Sequence, residues 1–376
     1  MPTAKRRHHP TRANLLLSWH RWCGLIALIF LLLAACSGTL LVYKQALIKL
    51  IITPNASLPA NYSAQQMAPQ LEQIAQLIKN DTSGYLIKAP NTEEPYWTLT
   101  RDADRSVKLL AIDSLTVYDN NLWLLKALAF FRHLHTELFA GVIGEAILLT
   151  SGVLGLFLSI TGVILWWPTK RSFRWRWVFP RKINVSYLMH YHRHAGTLAV
   201  PVLLIILLTG SIMLWQKLMG PILATPPATQ FPPALSAADT ATPAQLFLHA
   251  QQYIPDGWPT YIRLASSNNP IANFRYRLPN EWHPNGRTSV KIELVSGNIT
   301  VSARSDNVDW QQDLINQNYP LHSGYGMNSI YRVLILCGGI TLLWLGITGG
   351  LSYVRRTARL SPPNPIRLSR RPVLLK

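Results

Sequence analysis

Four long apolar runs alternate with longer mixed segments along this chain of 376 residues. A helix needs about 20 residues to cross a bilayer, and each run is long enough. The runs cover residues 22–43, 142–167, 196–215 and 330–354. Each has Trp or Tyr near an end, which is typical of side chains at the membrane interface. The pattern predicts a membrane α-helical protein, a four-span bundle.

The two long segments between the spans share a second pattern, a helix followed by alternating strands. Ser63 and Thr242 each begin a capping-box sequence and an amphipathic helix. The strands predicted by alternation are 96–101, 107–112, 116–118, 260–264, 273–278, 289–294 and 298–303. We therefore expect two external α+β modules and an internal two-fold repeat of span, module and span.

These patterns divide the chain into nine segments. They are a basic N-terminus (1–21), the first span (22–43), the first module (44–132), the second span with its lead-in (133–167), a basic loop (168–193), the third span (194–216), the second module (217–321), the fourth span (322–354) and a tail (355–376). The prolines of 226–233 predict an extended linker into the second module. The apolar stretch 122–131 is expected to lie against the outer membrane surface.

The net charge of +19 is concentrated in three of these segments. Residues 1–21, 168–193 and 355–376 together contain 19 Lys and Arg and no carboxylate. The positive-inside rule therefore places both termini and the loop in the cytoplasm, which predicts a multi-pass membrane protein in contact with the lipid bilayer. Short basic runs beside spans argue against nucleic acid as a partner.

The three cysteines, Cys23, Cys36 and Cys337, all lie within predicted spans, so no disulfide framework or Cys-based metal site is indicated. The residues that lead to Cys36 also resemble a lipoprotein cleavage box. Cleavage there would discard His20, and the apolar run continues past Cys36. An uncleaved span is therefore the favoured interpretation.

Two pairs of histidines follow two sequence templates. His20 and His192 are each followed by Gly after four and after 18 residues, whereas His135 and His322 are each followed by Gly after 17 and after 27 residues. Ionisable side chains in spans are rare and usually mark function. By topology, the first pair lies at the cytoplasmic side and the second at the outer side.

Each pair is therefore a candidate for the two axial imidazoles of one haem iron, which gives two haem sites. Arg21 and Arg193 are candidate partners of the inner haem propionates, and Arg132 and Arg332 of the outer ones. A non-haem metal on the same histidines stays open, although zinc and copper normally take three or four clustered ligands.

Other histidines lie close to these candidates. His194 and His190 are reserve ligands for His192, and His133 is the reserve for His135. His8 and His9 belong to the basic N-terminus. His249 and His283 belong to the outer modules, where a solvated surface position is expected.

The His-Arg-x-x-Gly and Leu-His spans with their Ser/Thr-Gly pairs, and the Trp166-Trp167-Pro168 exit, resemble the PepSY-associated transmembrane (PepSY_TM) family. The resemblance covers nearly the whole chain, although Ser37 stands where the family prefers Thr. It implies PepSY-like outer modules and two haem b groups on a four-helix core, here on His20, His135, His192 and His322. Some members of the family are iron-regulated inner-membrane proteins that reduce ferric siderophores of the ferrioxamine type.

The sequence is thus interpreted as an oxidoreductase, a ferric-siderophore reductase that carries electrons across the membrane. A cytoplasmic or quinol electron donor would reduce it, and no catalytic acid or base is required. The acceptor is expected outside, near Trp282, Trp310 and Tyr325. A di-haem electron carrier with another acceptor, a non-redox metal-binding protein and a regulatory PepSY membrane protein remain alternatives.

Overall fold

The structure, a computed structural model, describes residues 12–119, 122–180, 182–220, 228–231, 241–266 and 269–360. The helices of this part are α1 (Arg12–Leu41), α2 (Lys44–Ile51), α3 (Ala64–Ile78), α4 (Leu122–Glu137), α5 (Gly141–Trp166), α6 (Leu188–Met219), α7 (Pro243–Tyr253), α8 (Trp310–Asn316), α9 (Asn318–Ser323) and α10 (Ser329–Leu360). The strands are β1 (Tyr85–Lys88), β2 (Trp97–Arg101), β3 (Val107–Leu110), β4 (Ala228–Phe231), β5 (Trp258–Arg263), β6 (Ile271–Arg277), β7 (Thr288–Glu293) and β8 (Ile299–Ser302). Most of the predicted N-terminal and C-terminal basic segments, with His8 and His9, lie outside the described residues, as do Arg181 and the four prolines of the predicted linker.

Four helical segments are long and apolar enough to cross a membrane, as predicted. They run over Arg12–Leu41, Gly141–Ser172, Val185–Met219 and Ser329–Thr357, and therefore include α1, α5, α6 and α10. In the bundle, α1 and α6 each pack against both α5 and α10. The helices thus form a ring in which α1 lies diagonally across from α6.

The second and fourth spans, α5 and α10, are each preceded by a break in the helical backbone. The helix is interrupted between α4 and α5, where Leu138, Phe139 and Gly141 have positive φ angles. A left-handed Gly324 ends α9 before α10 begins. Because of these breaks, His135 and His322 belong to the separate helices α4 and α9 and not to the spans themselves.

The strands of both predicted modules form one antiparallel sheet, in the order β3-β2-β1-β5-β6-β7-β8-β4. The pairing of β1 with β5, where Ile87 lies opposite Ile262, joins the two strand sets. Strand β1 was not predicted, because it has only four residues and pairs with a strand far along the chain. Strand β4 was not predicted either; it forms within the predicted linker and pairs with β8.

The core of the sheet lies under α3 and α7, which pack side by side. Both helices start with the predicted capping boxes, at Ser63 and Thr242. Phe247 of α7 packs on Phe274 of β6, and both side chains are fully buried. The opposite face of the sheet carries the alternate, polar residues of each strand. That second face is the one that reaches the segment between α9 and α10.

The seam between β1 and β5 gives a stability test. Ile262→Ala should reduce the local unfolding free energy of the sheet by about 2–5 kcal/mol, because Ile262 is fully buried. Ile271→Ala is the matched control, since Ile271 is 36% exposed and surface changes rarely exceed about 0.5 kcal/mol. Hydrogen–deuterium exchange of the sheet amides in the full chain measures both. Equal effects of the two changes would contradict the described core.

Candidate functional site

The outer pair of predicted ligands comes together in the structure. The imidazole rings of His135 and His322 have centroids 5.9 Å apart. The Nδ1 atom of His135 lies 2.9 Å from the carbonyl oxygen of Ala34 on α1, and Nδ1 of His322 lies 2.9 Å from that of Ile206 on α6. Each ring is therefore held by a different helix: α1 holds His135 and α6 holds His322.

The inner pair lies on those diagonal helices themselves, His20 on α1 and His192 on α6. The Nδ1 atom of His192 lies 3.1 Å from the carbonyl oxygen of Leu345 on α10. The Nδ1 atom of His20 lies 2.8 Å from the hydroxyl of Thr161 on α5.

The partners of Nδ1 determine the tautomer of all four rings. A carbonyl oxygen only accepts hydrogen bonds, so Nδ1 of His135, His192 and His322 must carry the ring proton. The hydroxyl of Thr161 donates to the carbonyl oxygen of Phe157 at 2.7 Å, so its lone pair accepts from His20. Within the part of the chain that the structure describes, the Nε2 atom of none of the four has a hydrogen-bond partner. Each Nε2 therefore presents a lone pair, as a metal-binding imidazole requires.

A Ser/Thr-Gly pair on a neighbouring helix holds each ring. These pairs are Ser37-Gly38 beneath His135, Thr161-Gly162 beside His20, Thr209-Gly210 beneath His322 and Thr348-Gly349 beside His192. The hydroxyl donates to the carbonyl four residues earlier in its own helix and turns a lone pair towards the imidazole. At Gly38, Gly210 and Gly349 a Cβ would lie within 3.2 Å of the ring, so the missing side chain lets the ring lie against the helix backbone. At Gly162 the distance to His20 would be 3.6 Å, an ordinary contact.

The contacts explain the offsets in the sequence. The glycine 18 residues after His20 holds the outer histidine His135, and the glycine 27 residues after His135 holds the inner histidine His20. The second half of the chain repeats this exchange between His192 and His322. The glycines at offset 17 instead allow close helix packing, since a Cβ on Gly152 would lie 2.5 Å from the Ser211 hydroxyl oxygen.

The reserve ligands have other contacts. Both ring nitrogens of the buried His194 face carbonyl oxygens, those of His190 at 2.8 Å and Ser172 at 3.2 Å. His190 stacks on Trp177 with centroids 4.9 Å apart. Both nitrogens of His133 are also used, by Glu137 and by the Arg132 guanidinium. These side chains support the ends of the bundle, and their contacts favour His192 and His135 as the ligands.

The four candidate arginines differ in their contacts. Arg21 is exposed on α1, next to His20. Arg193 donates to the hydroxyl of Thr169 at 2.7 Å, and Arg132 contacts its neighbour His133. Arg332 forms an ion pair with Glu93 at 2.9 Å. The Arg332 guanidinium is thus already paired with a carboxylate of the loop between β1 and β2, in the domain formed by the sheet with α3 and α7 (the sheet domain).

A buried polar cluster joins the sheet to the segment that follows His322. The Tyr325 hydroxyl donates to Glu94 at 2.6 Å, and Glu94 forms an ion pair with Lys88 of β1. Tyr325 is only 4% exposed, so its side chain is enclosed between the sheet and the segment that follows His322. Glu93 and Glu94, adjacent in the β1–β2 loop, thus hold Arg332 and Tyr325 on either side of the turn into α10. Trp282 and Trp310, in contrast, are well exposed.

Residues 17–356 match the family model described as the PepSY-associated TM region. The chain belongs to this family. The search of curated proteins gives no match. The four histidines and the four Ser/Thr-Gly pairs all fall within the matched part of this PepSY-associated TM protein.

In the sequence, these Ser/Thr-Gly pairs are visible only as repeated offsets from the histidines, and nothing there assigns a role to their hydroxyls. Two signals were present: each pair ends in Gly within an apolar helix, and each has a counterpart in the other half. What was missing was the partner, because each hydroxyl contacts a histidine at least 98 residues away.

Two glycines of α1 test the close approach of the rings. In Gly38→Ala the new Cβ would lie 2.6 Å from Cε1 of His135, so we expect a loss of about 1–3 kcal/mol from overpacking. In Gly24→Ala the nearest side-chain atom is 3.7 Å away, so stability should be unchanged or slightly higher. Thermal unfolding of the purified protein in detergent measures both. The contact is not as described if Gly38→Ala behaves like Gly24→Ala.

Proposed function

We propose that this protein is a di-haem b transmembrane electron-transfer protein, a ferric-siderophore reductase of the inner membrane. Haem b bound at each histidine pair would supply one-electron chemistry, taking electrons from a cytoplasmic or quinol donor and delivering them to a ferric siderophore in the periplasm. One electron converts chelated Fe³⁺ to Fe²⁺, and the donor loses one electron. The hard oxygen ligands of the siderophore hold Fe²⁺ less tightly, so iron is released for uptake.

The observation that carries this proposal is the arrangement of His135 and His322. A first-row metal binds an imidazole nitrogen at about 2 Å, so two rings that share one ion have centroids about 6 Å apart. The observed separation is 5.9 Å, and Nδ1 of both rings is occupied by a backbone carbonyl. No third His, Cys, Asp or Glu joins either pair among the described residues. A donor set of two imidazoles fits axial haem ligation better than it fits a zinc or copper site.

The spacing along the helices supports two sites in series. Ser37, which contacts outer His135, follows inner His20 by 17 residues on the same helix, a rise of about 26 Å. The same spacing separates Thr209 from His192 on α6. Because this distance is comparable to the thickness of the hydrocarbon core, each pair lies near one membrane surface. A path for electrons across the bilayer requires such an arrangement.

The orientation and the repeat belong to the proposal as well. The basic loop and the basic ends of α1 and α10 favour a cytoplasmic inner pair, and the sheet domain would then lie outside as PepSY-like modules. The glycine contact of His20 corresponds to that of His192, and the glycine contact of His135 corresponds to that of His322. This correspondence supports an internal two-fold repeat with its axis along the membrane normal.

The protein's own residues then have defined tasks. The histidines ligate through Nε2, and the carbonyls of Ala34, Ile206 and Leu345 fix the ring proton and orientation. Arg21 and Arg193 are the available cations beside the inner site. No described side chain needs to transfer a proton during the reaction.

Haem content tests the ligand assignment. The purified protein should contain two haem b per chain with a reducible bis-imidazole spectrum. His322→Ala should lower this to one haem, because a single remaining imidazole at the outer site binds the iron weakly. His194→Ala, two residues from His192, is the control and should retain both haems. Loss of both haems in His322→Ala, or loss of one in His194→Ala, would exclude the proposed pairing.

Reoxidation kinetics test the acceptor. Protein reduced by dithionite without oxygen should be reoxidised by ferric siderophores, with one Fe²⁺ trapped by ferrozine for each electron lost. Haem that stays reduced with several chelates would indicate an electron carrier with another acceptor. Protein without haem would leave the metal-binding or regulatory alternatives.

A further inference from the structure

Three arginines lie together at the end of the β6–β7 hairpin, on the polar face of the sheet. Arg275 and Arg277 alternate with the buried Phe274 and Tyr276 along β6, so both point away from the α3–α7 core. The register pairs Tyr276 with Thr288. Arg277 directly follows Tyr276 and Arg287 directly precedes Thr288, so the two arginines lie at the same end of this strand pair. Like charges in this position repel one another unless an anion is bound between them.

The three arginines have one carboxylate, that of Glu281, in their surroundings among the described residues. Within the described part of the chain, none of the three guanidinium groups forms an ion pair with a carboxylate. Arg277 donates to the backbone oxygen of Glu281, and Arg275 donates through Nε to that of Gly286, which leaves its two terminal nitrogens free. The Nε atom of Arg287 is buried without a partner.

Burial makes the missing counter-charge costly. Burial and the neighbouring Arg275 lower the pKa of Arg287 to about 10, and burial also lowers the pKa of Arg275. Glu281 is the nearby carboxylate, and its own pKa is raised by burial. His283 is 3% exposed, which corrects the expectation of a solvated surface histidine. Buried charges are normally paired, so several positive groups around one carboxylate indicate a ligand of opposite charge.

The loop that carries Glu281 and His283, between β6 and β7, contacts the short helix that carries His322. The His283 ring is 5.3 Å from the ring of Tyr319, which shares the short helix α9 with His322. The loop between β6 and β7 also packs on the turn after α9, because a Cβ on Gly326 would lie 3.1 Å from the backbone oxygen of Trp282. A ligand held by the arginines would therefore be next to the outer end of the proposed electron path.

We propose that Arg275, Arg277 and Arg287 bind the carboxylate groups of an anionic ferric chelate and so select the substrate by charge. This inference rests on the proposed function, because it assigns the chelate that accepts the electron. Guanidinium groups bind carboxylates through paired, charge-assisted hydrogen bonds, which a neutral hydroxamate chelate cannot form equally well. The preferred substrate is thus a carboxylate-type chelate such as ferric citrate.

Stopped-flow reoxidation of the reduced, haem-loaded protein tests the charge selection. The probes are ferric citrate and a neutral ferric trihydroxamate. Arg287→Gln and Arg275→Gln should each lower the second-order rate constant for ferric citrate about tenfold and that for the neutral chelate less than about twofold. Arg287→Lys keeps the charge and should retain most of the citrate rate. Equal losses with both chelates, or none with either, would overturn the inference.

Arg304→Gln is the matched control for the loss of one positive charge from the same domain, since Arg304 is paired with Asp256 and Asp306 at the surface. It should leave both rates unchanged, and a citrate-specific loss there would show that net charge alone sets the preference. Iron-free citrate should also change the tryptophan emission, through the exposed Trp282, in the wild type but not in Arg287→Gln. This second readout needs no haem, so failure of haem binding and failure of the anion site are distinguishable.

Discussion

The hydrogen bond from a histidine Nδ1–H to an oxygen of a neighbouring transmembrane helix is the constraint on which the rest of this structure depends. It fixes the tautomer, aims Nε2 away from the helix and ties the ring to a point on a second element. Three of the four acceptors are backbone carbonyls, of Ala34, Ile206 and Leu345. In each case the carbonyl already lies in a helix, so the ring must come very close to the backbone. Glycine at the contact makes this approach sterically possible.

The need for a Ser/Thr-Gly pair at each ring links the inner and outer ends of α1 and of α6. The first and third spans each carry an inner histidine near one end and the Ser/Thr-Gly pair for an outer histidine near the other. A shift of α1 along its axis would therefore move His20 and the support of His135 together. The breaks before α5 and α10 have a related function. Because of these breaks, His135 and His322 lie on separate short helices that need not follow the axes of α5 and α10. Both rings can therefore lie over the outer end of the bundle.

The sheet domain is attached to this outer layer by charged and aromatic contacts. Glu94 holds Tyr325 in the turn that follows His322, and Glu93 holds Arg332 at the start of α10. The β6–β7 loop covers the same turn at Gly326. The buried Lys88–Glu94 pair has a large desolvation cost, which makes it a poor source of stability but a strong constraint on position. The domain that would meet an external ligand is thereby in direct contact with the segment that carries an outer histidine.

The sequence alone determined the four spans, the helix starts at Ser63 and Thr242, most of the strands and the four repeated histidines. These features depend on local hydrophobic period, capping residues and spacing, all of which can be counted along the chain. Only the tertiary structure decided which oxygen each Nδ1 contacts, that both strand sets share one sheet, and that His283 and Tyr325 are buried. It also gave the Ser/Thr-Gly pairs their partners and distinguished His192 from its neighbours. The physical reason is that these outcomes depend on which groups from distant segments meet, and side-chain packing and hydrogen-bond geometry decide that after the local elements have formed.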